Sequence, residues 1–275
     1  MNAISNLSFA TYANAFEHAL PLEAVRSRAP AVFATAPHER VSAKYTFIPT
    51  ERVLTGLMSA GFLPVDARQA HARRTSPLHA RHILRLRRRY ETVSLKDRSI
   101  PEVVLVNGHA ADVTYQLRMG LFRVVCANGL IVSRGAFPAY CVPHRGNIVD
   151  EVIAGALKVA ERFESLAAQV ERMEQRHLFK DEQLAFAERA LALRFPEPVQ
   201  SGIDPAQLLT CRRAEDVGDD LWHVLNRCQE RLLRGGLTWR SASGRLTRSR
   251  ALSSIKRDVQ VNGQLWDLAT QLLSA

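Results

Sequence analysis

From residue 149 onward the apolar residues of this chain change their period. Val149, Ile153, Ala156, Ala160, Phe163, Ala167 and Val170 recur alternately four and three apart, the spacing of one face of an α-helix. Glu161, Arg162, Glu164, Glu171 and Arg172 fall off that line. Upstream, apolar residues alternate or run in short blocks bounded by turn residues, as strands do. A helical seam of about six turns cannot sit as a strand, so the chain must be two-part. The predicted class is α+β: an N-terminal antiparallel sheet with flanking helices, followed by an α-helical C-terminal half. The expected boundaries are a weakly ordered arm over 1–40, an α/β sheet domain over 41–148, and a helical region over 149–275 that carries a basic loop, 231–250. A chain of 275 residues, 47% of them hydrophobic, can bury a sizeable core without disulfides or metal.

Local signals fill in this outline. A short helix is expected at Leu22–Arg26, before Pro30, and a strand at Tyr45–Ile48, stopped by Pro49. Thr50 reads as the cap of a helix over 51–60, ended by Gly61. Residues 62–73 and 79–90 read as two strands of a hairpin separated by Ser76-Pro77, and Glu102–Asn107 as a buried strand. Thr114–Val125 reads as a further strand or a strand-helix-strand passage, and Asn128-Gly129 as a turn before Leu130-Ile131-Val132. In the second half, helices are expected over 179–193, around Leu221–Leu232 between Asp219-Asp220 and Gly235-Gly236, and over 257–273.

The charge is unevenly spread. The formal net charge is +10, from 37 Lys+Arg against 27 Asp+Glu, and only five of the basic residues are lysines. Arginine forks onto phosphate and stacks on bases, which lysine does not. Between Arg68 and Arg98 stand ten basic residues and two acidic ones; between Arg231 and Arg257 stand eight basic residues and no acid. In the first segment Arg85, Arg87 and Arg89 share one face of a strand, with Arg81 and Arg88 beside them, so guanidinium groups would repeat every ~6.6 Å. That row reads either as a track for a phosphate backbone or as a solvated strand face that resists edge aggregation. In the second segment Arg231, Arg234, Arg240, Arg245, Arg248 and Arg250 alternate with glycines, hydroxyls and Trp239. It reads either as a phosphate-gripping loop with a stacking ring or as a flexible surface loop.

Enzymatic chemistry has little support. No Walker loop and no GxGxxG occurs. Cys126, Cys141, Cys211 and Cys228 include no CxxC pair, and Cys141-Val-Pro-His144 is one half of a zinc spacing without its second half, even with His109 nearby. Cys126 with a histidine lacks a spacing that singles out a base. We therefore expect no catalytic residue, no metal and no cofactor. With no signal peptide and no apolar run of ~18 residues, the expected compartment is the cytoplasm, without membrane contact.

Several collinear strings carry a resemblance: Phe47-Ile-Pro-Thr-Glu-Arg-Val-Leu54, Val104-Leu-Val-Asn-Gly-His109, the run from Tyr115 to Leu130, Val142-Pro-His-Arg-Gly-Asn147, Asp219-Asp-Leu-Trp222, Asn226-Arg-Cys-Gln-Glu230, Arg234-Gly-Gly-Leu237 and Asn262-Gly-Gln-Leu-Trp-Asp-Leu-Ala269. From about Pro30 to the end the chain resembles the phage- and plasmid-type family that carries domain of unknown function 932. The resemblance implies a gene of phages, plasmids or integrative conjugative elements, and no catalytic residue to carry over. The order of elements is loosely similar to single-strand annealing proteins of the Rad-fifty-two type, by fold-level analogy only. The expectation is thus a nucleic-acid-binding protein of a mobile element, single-stranded DNA favoured, acting in strand annealing or recombination as a homo-oligomer. The alternative is a non-enzymatic protein-interaction factor, for example in antirestriction, that oligomerises through its helical seam.

Overall fold

The computed structural model describes residues 19–42, 45–71, 76–89, 93, 95, 99–110, 113–123, 129–132, 137–200 and 202–274. By contacts the chain divides into two compact units, 1–122 with 137–164, and 123–136 with 165–275. Residues 1–18 of the expected arm lie outside the described residues. The rest of that arm is packed: the helix α1 (Leu22–Arg28) and a turn over Pro30–Phe33 bury Val25, Ala31, Val32 and Phe33.

The N-terminal half supplies antiparallel strands with helices against them. These are β1 (Phe62–Gln69), β2 (His82–Arg88), β3 (Ser99–Asn107), β4 (Tyr115–Arg123), β5 (Gly129–Val132) and β6 (Tyr140–Val142). In the first unit the order is β1-β2-β3-β4, with β6 antiparallel to β4. The predicted hairpin is present: β1 pairs antiparallel with β2, with an irregularity between Pro64 and Asp66. Leu84 stands opposite Leu105, and Leu86 opposite Val103. α2 (Thr50–Ser59) packs on β1, and α3 (Ile148–Ala160) packs on α2, β3 and β6. Gly155 permits the last contact, since a Cβ there would lie 2.3 Å from a Tyr140 ring carbon and 2.6 Å from Leu117 Cδ1. Residues 45–49 form no strand; Tyr45–Ile48 runs extended, with Thr46 N–H donating to the His144 carbonyl at 2.9 Å.

The long seam is not one helix. It breaks at Glu161-Arg162 into α3 and α4 (Phe163–Gln175), so the residues beyond Glu164 belong to the second unit. Ala156, Ala160, Phe163 and Val170 are buried as expected, but Val152 and Leu166 are buried where the seam named Ile153 and Ala167. The buried line Val152, Ala156, Val159, Phe163, Leu166, Val170 and Met173 keeps the alternating four-and-three spacing across the break. Four of the seven seam residues are thus buried within the chain, and Val149, Ile153 and Ala167 are half-buried. The second unit continues with α5 (Lys180–Ala192), the short α6 (Glu197–Gln200) and α7 (Ala206–Leu209), α8 (Leu221–Arg234) and α9 (Ile255–Ser274). α8 packs against α5, α7 and α9, and α9 also covers β5. Among the described residues no helix is long and apolar enough to cross a membrane.

The core of the first unit holds a polar hub. Thr50 does not cap α2; Pro49 occupies that position. Its buried hydroxyl instead meets three nitrogens: His82 Nε2 at 3.0 Å, His109 Nε2 at 3.1 Å and Asn107 Nδ2 at 2.9 Å. His82 and Asn107 are cross-strand partners, which points both side chains at Thr50. One protonation pattern satisfies these contacts. His82 Nδ1 lies 3.0 Å from the Ala80 carbonyl and so carries its proton. Thr50 then donates to His82 Nε2 and accepts from Asn107 and His109, filling both lone pairs. The His109 pKa is pushed down to about 3 by burial first, and then by His82, His144 and His79. The His109 ring at the Thr50 hydroxyl is neutral at neutral pH.

Loss of the central hydroxyl should be costly. Thr50→Val keeps the shape and strands three buried polar groups, so it lowers unfolding free energy by about 3 kcal/mol, measured by urea denaturation. The hub also sets a pH dependence. The folded His109 refuses a proton that the unfolded chain accepts near pH 6.5, so its contribution to stability is full above that pH and falls toward pH 3. At pH 5 the loss from this group is about 2 kcal/mol, and His109→Gln flattens the dependence between about pH 7.5 and 5.

Candidate nucleic-acid interface

The first arginine segment does not form the exposed row that its alternation suggests. β2 is paired on both sides, with Arg85 opposite Asp66 of β1 and Val104 of β3. His82 through Arg87 are all buried. Arg85 is 8% exposed and Arg87 5%, and both converge on Glu102, itself 1% exposed. Arg85 Nε and Nη2 grip the two carboxylate oxygens at 2.6 and 3.0 Å, while Arg87 Nε reaches Oε1 at 2.8 Å. Asp66 lies 3.6 Å from Arg85 Nη1, and the Phe122 ring lies 3.9 Å from the Arg85 guanidinium carbon. Neutralisation by carboxylates and cover by an aromatic ring make a central strand with two arginines possible. Arg85 and Arg87 are therefore withdrawn from the phosphate track. Of the remaining three, Arg88 is exposed on the last position of β2, and Arg81 and Arg89 are half-buried at its two ends.

The second segment is ordered rather than an irregular loop. Asp220 caps α8 by accepting from His223 N–H at 3.1 Å, and the helix ends at Gly235, φ +73°. The chain then forms a hairpin, β7 (Thr238–Arg240) and β8 (Leu246–Arg248), with Thr238 opposite Arg248 and Arg240 opposite Leu246. Gln207 clamps its base, accepting from Thr238 N–H at 2.9 Å and donating to the Thr238 carbonyl at 2.9 Å. Trp239 is half-buried, edge-on to Phe195 with centroids 6.1 Å apart and against Gly202. It anchors the hairpin and is not the free stacking ring expected. The Arg194 guanidinium donates to the carbonyls of Leu232 and Arg250, tying the end of α8 to the exit of the hairpin.

Two guanidinium groups meet where this frame closes, with Arg231 nearby. A Cβ on Gly236, φ +91°, would lie 2.8 Å from Arg212 Nη2 and 3.5 Å from Arg248 Nη2. Arg212 donates to the Gly235 carbonyl at 2.9 Å, and Arg231 donates to the Thr210 carbonyl at 3.4 Å. The Arg231 pKa is held below the usual arginine range by burial, then by the charge of Arg212, while Glu230 works against both and Arg248 adds to them. Glu230 itself pairs with Arg213 at 2.8 Å. Among the described residues none of Arg212, Arg231, Arg248, Arg245 and Arg250 has a carboxylate within ion-pair distance, in contrast to Arg85 and Arg87. Arg234, Arg240, Arg245, Arg248 and Arg250 are exposed, Arg231 is half-buried, and Arg240 also donates to the Gly244 carbonyl at 3.1 Å. The sequence pointed to Arg231 and Arg248 but missed Arg212. That residue lies upstream of α8, outside the basic run, and its adjacency to Arg213 was the one available signal.

The candidate enzyme residues occupy other surroundings. His109 is fully buried and His144 nearly so, with its Nε2 3.1 Å from the Val113 carbonyl and its ring stacked on Tyr45 at 4.5 Å. Burial lowers the His144 pKa, and the thiol of buried Cys228 is pushed up to about 12. Cys126 lies outside the described residues. Among the described residues no group of three or more His, Cys, Asp or Glu is arranged to hold a metal ion.

A family model described as "Domain of unknown function (DUF932)" matches residues 37–266. The chain is 39% identical over 246 residues to UPF0380 protein YfjQ of Escherichia coli (strain K12), covering 89% of this chain and 88% of that protein. It is 38% identical, with the same coverage, to UPF0380 protein YafZ of the same organism. No solved structure matches.

The burial of the first segment has a measurable consequence. Glu102→Ala leaves two buried guanidinium groups without their counter-charge, and we expect a loss of about 3–5 kcal/mol in urea unfolding. Replacing the triad together, as R85M/R87M/E102L, restores most of it, because well-packed apolar residues substitute for a buried ion cluster at little net cost.

Proposed function

The chain belongs to the DUF932 family, and from that premise we propose that it is a nucleic-acid-binding protein whose phosphate-gripping surface lies in its second unit. The observation that carries this reading is the meeting of the Arg212 and Arg248 guanidinium groups at Gly236, with Arg231 near enough for both charges to act on it and, among the described residues, no ion-paired carboxylate on any of the three. Like charges held together cost energy, and arginines on a built frame regain it when a polyanion arrives. Arg234, Arg240, Arg245 and Arg250 extend the positive surface along the hairpin and its exit. Phosphate contacts of this kind fix position and affinity but carry no base sequence.

Single-stranded DNA is the favoured ligand, and strand annealing or recombination on a mobile element, by a homo-oligomer, is the favoured setting. Annealing requires charge neutralisation and accessible bases, so the proposal needs no catalytic acid or base, metal or cofactor. The interaction-factor alternative loses its main feature, because the seam from Val149 to Val170 is largely buried within the chain.

The test is titration of labelled single-stranded DNA, duplex DNA and RNA at rising salt, with size-exclusion chromatography of the complexes. Wild-type protein should retain single strands best, and log affinity should fall linearly with log salt. The variant R212A/R231A/R248A should bind at least about tenfold more weakly, with a salt slope smaller by about 2, since each phosphate contact on a single strand contributes about 0.7. Retention that is absent at low salt, or unchanged in the triple variant, overturns the proposal.

A further inference from the structure

The hairpin carries a residue that phosphate binding does not require. Leu246 is 67% exposed, among the most exposed large hydrophobic residues described. It stands directly opposite Arg240 in the antiparallel register, and Arg248 lies two positions further along the same strand. Side chains alternate along a strand, so Arg240, Leu246 and Arg248 share one face, while Trp239 and Thr247 point to the other. Arg245 precedes Leu246 at the end of a turn whose Gly244, φ +77°, has open space around it. An apolar side chain is thus presented near the tip of a hairpin, beside Arg240 and Arg248 on its own face and next to Arg245 in the chain.

The mounting is rigid. Trp239 faces away from this surface and is held by Phe195, Gln207 pins Thr238 on both its N–H and its carbonyl, and Leu237 N–H donates to Ser249 Oγ at 3.0 Å. A flexible solubility loop needs none of these anchors. A wedge does, because a side chain that separates stacked bases must not fold back when pushed.

Resting on the nucleic-acid reading, we infer that Leu246 inserts between two neighbouring bases of the bound strand, while Arg240 and Arg248 hold the phosphates on either side. The spacing agrees. Inserting one side chain stretches the phosphate rise from about 3.4 Å to about 7 Å, and Arg240 and Arg248 are diagonal neighbours across the strand pair, about 7–8 Å apart. The charge pattern disfavours an ordinary apolar protein contact at this tip, since burying Leu246 against a protein would also bury three arginines without carboxylates. The occupant that satisfies both parts is one with an anionic backbone and stackable planar groups. A base step held open in this way stays available for pairing, which is what an annealing protein must arrange.

The experiment uses the full chain and a single-stranded DNA containing 2-aminopurine, whose fluorescence is quenched by stacking and rises when its neighbours separate. Wild-type protein should raise the fluorescence severalfold at saturation. L246A, compared at saturating protein, should lose most of that rise, and L246M should keep it. R240A/R248A should weaken binding at least about fivefold yet reach the same fluorescence at saturation. An L246A complex as bright as wild type overturns the wedge while leaving the phosphate surface intact. A change in sedimentation of L246A without change in fluorescence also overturns it, by assigning the leucine to self-association. Absence of binding by the wild-type chain removes the nucleic-acid reading and the wedge together.

Discussion

Glu102 decides what the middle of the sheet can be. A central strand with both neighbours in place has no water on its backbone edges, and the side chains of β2 are buried on both faces. Two arginines on such a strand would be prohibitive alone. Glu102 grips both of them, Asp66 stands near one, and Phe122 covers the pair. With that neutralisation β2 can pair with β1 and β3, and its other face can bring Leu84, Leu86 and their partners Leu105 and Val103 into the core.

That other face also meets the Thr50 hydroxyl. Thr50, His82 and Asn107 come from α2, β2 and β3, and His109 from just beyond β3, so four residues from separate places in the chain meet at one oxygen. The arrangement is exacting at the Thr50 hydroxyl, whose proton and two lone pairs each have one partner, and it ties α2 to the sheet. It also makes the histidines structural. Burial holds the His109 pKa down to about 3, so at neutral pH it is the neutral ring that meets the Thr50 hydroxyl.

The two basic segments look alike when charges are counted and behave differently in the fold. In the first unit the counter-charge comes from the neighbouring strand: Glu102 of β3 takes Arg85 and Arg87 of β2 out of reach of any ligand. In the second unit Glu230 is engaged by Arg213, and among the described residues the Arg212 and Arg248 guanidinium groups at Gly236 have no carboxylate within ion-pair distance. The difference is one of pairing, and charge counting along the chain is blind to it.

Periodicity and turn chemistry in the sequence determined the class of fold, the hairpin of β1 and β2, the buried strand β3, the ends of α8 at Asp220 and Gly235, and the extent of α9, because these are set by residues close together in the chain. The break at Glu161-Arg162, the withdrawal of Thr50 from its expected cap, the burial of Arg85 and Arg87, the ordering of the hairpin by Trp239 and the recruitment of Arg212 were decided only by the tertiary structure. Most of them depend on a partner distant in sequence. Which partner a polar side chain finds is fixed by how strands and helices register against one another, and that register is written in the packing of the whole unit rather than in any local stretch.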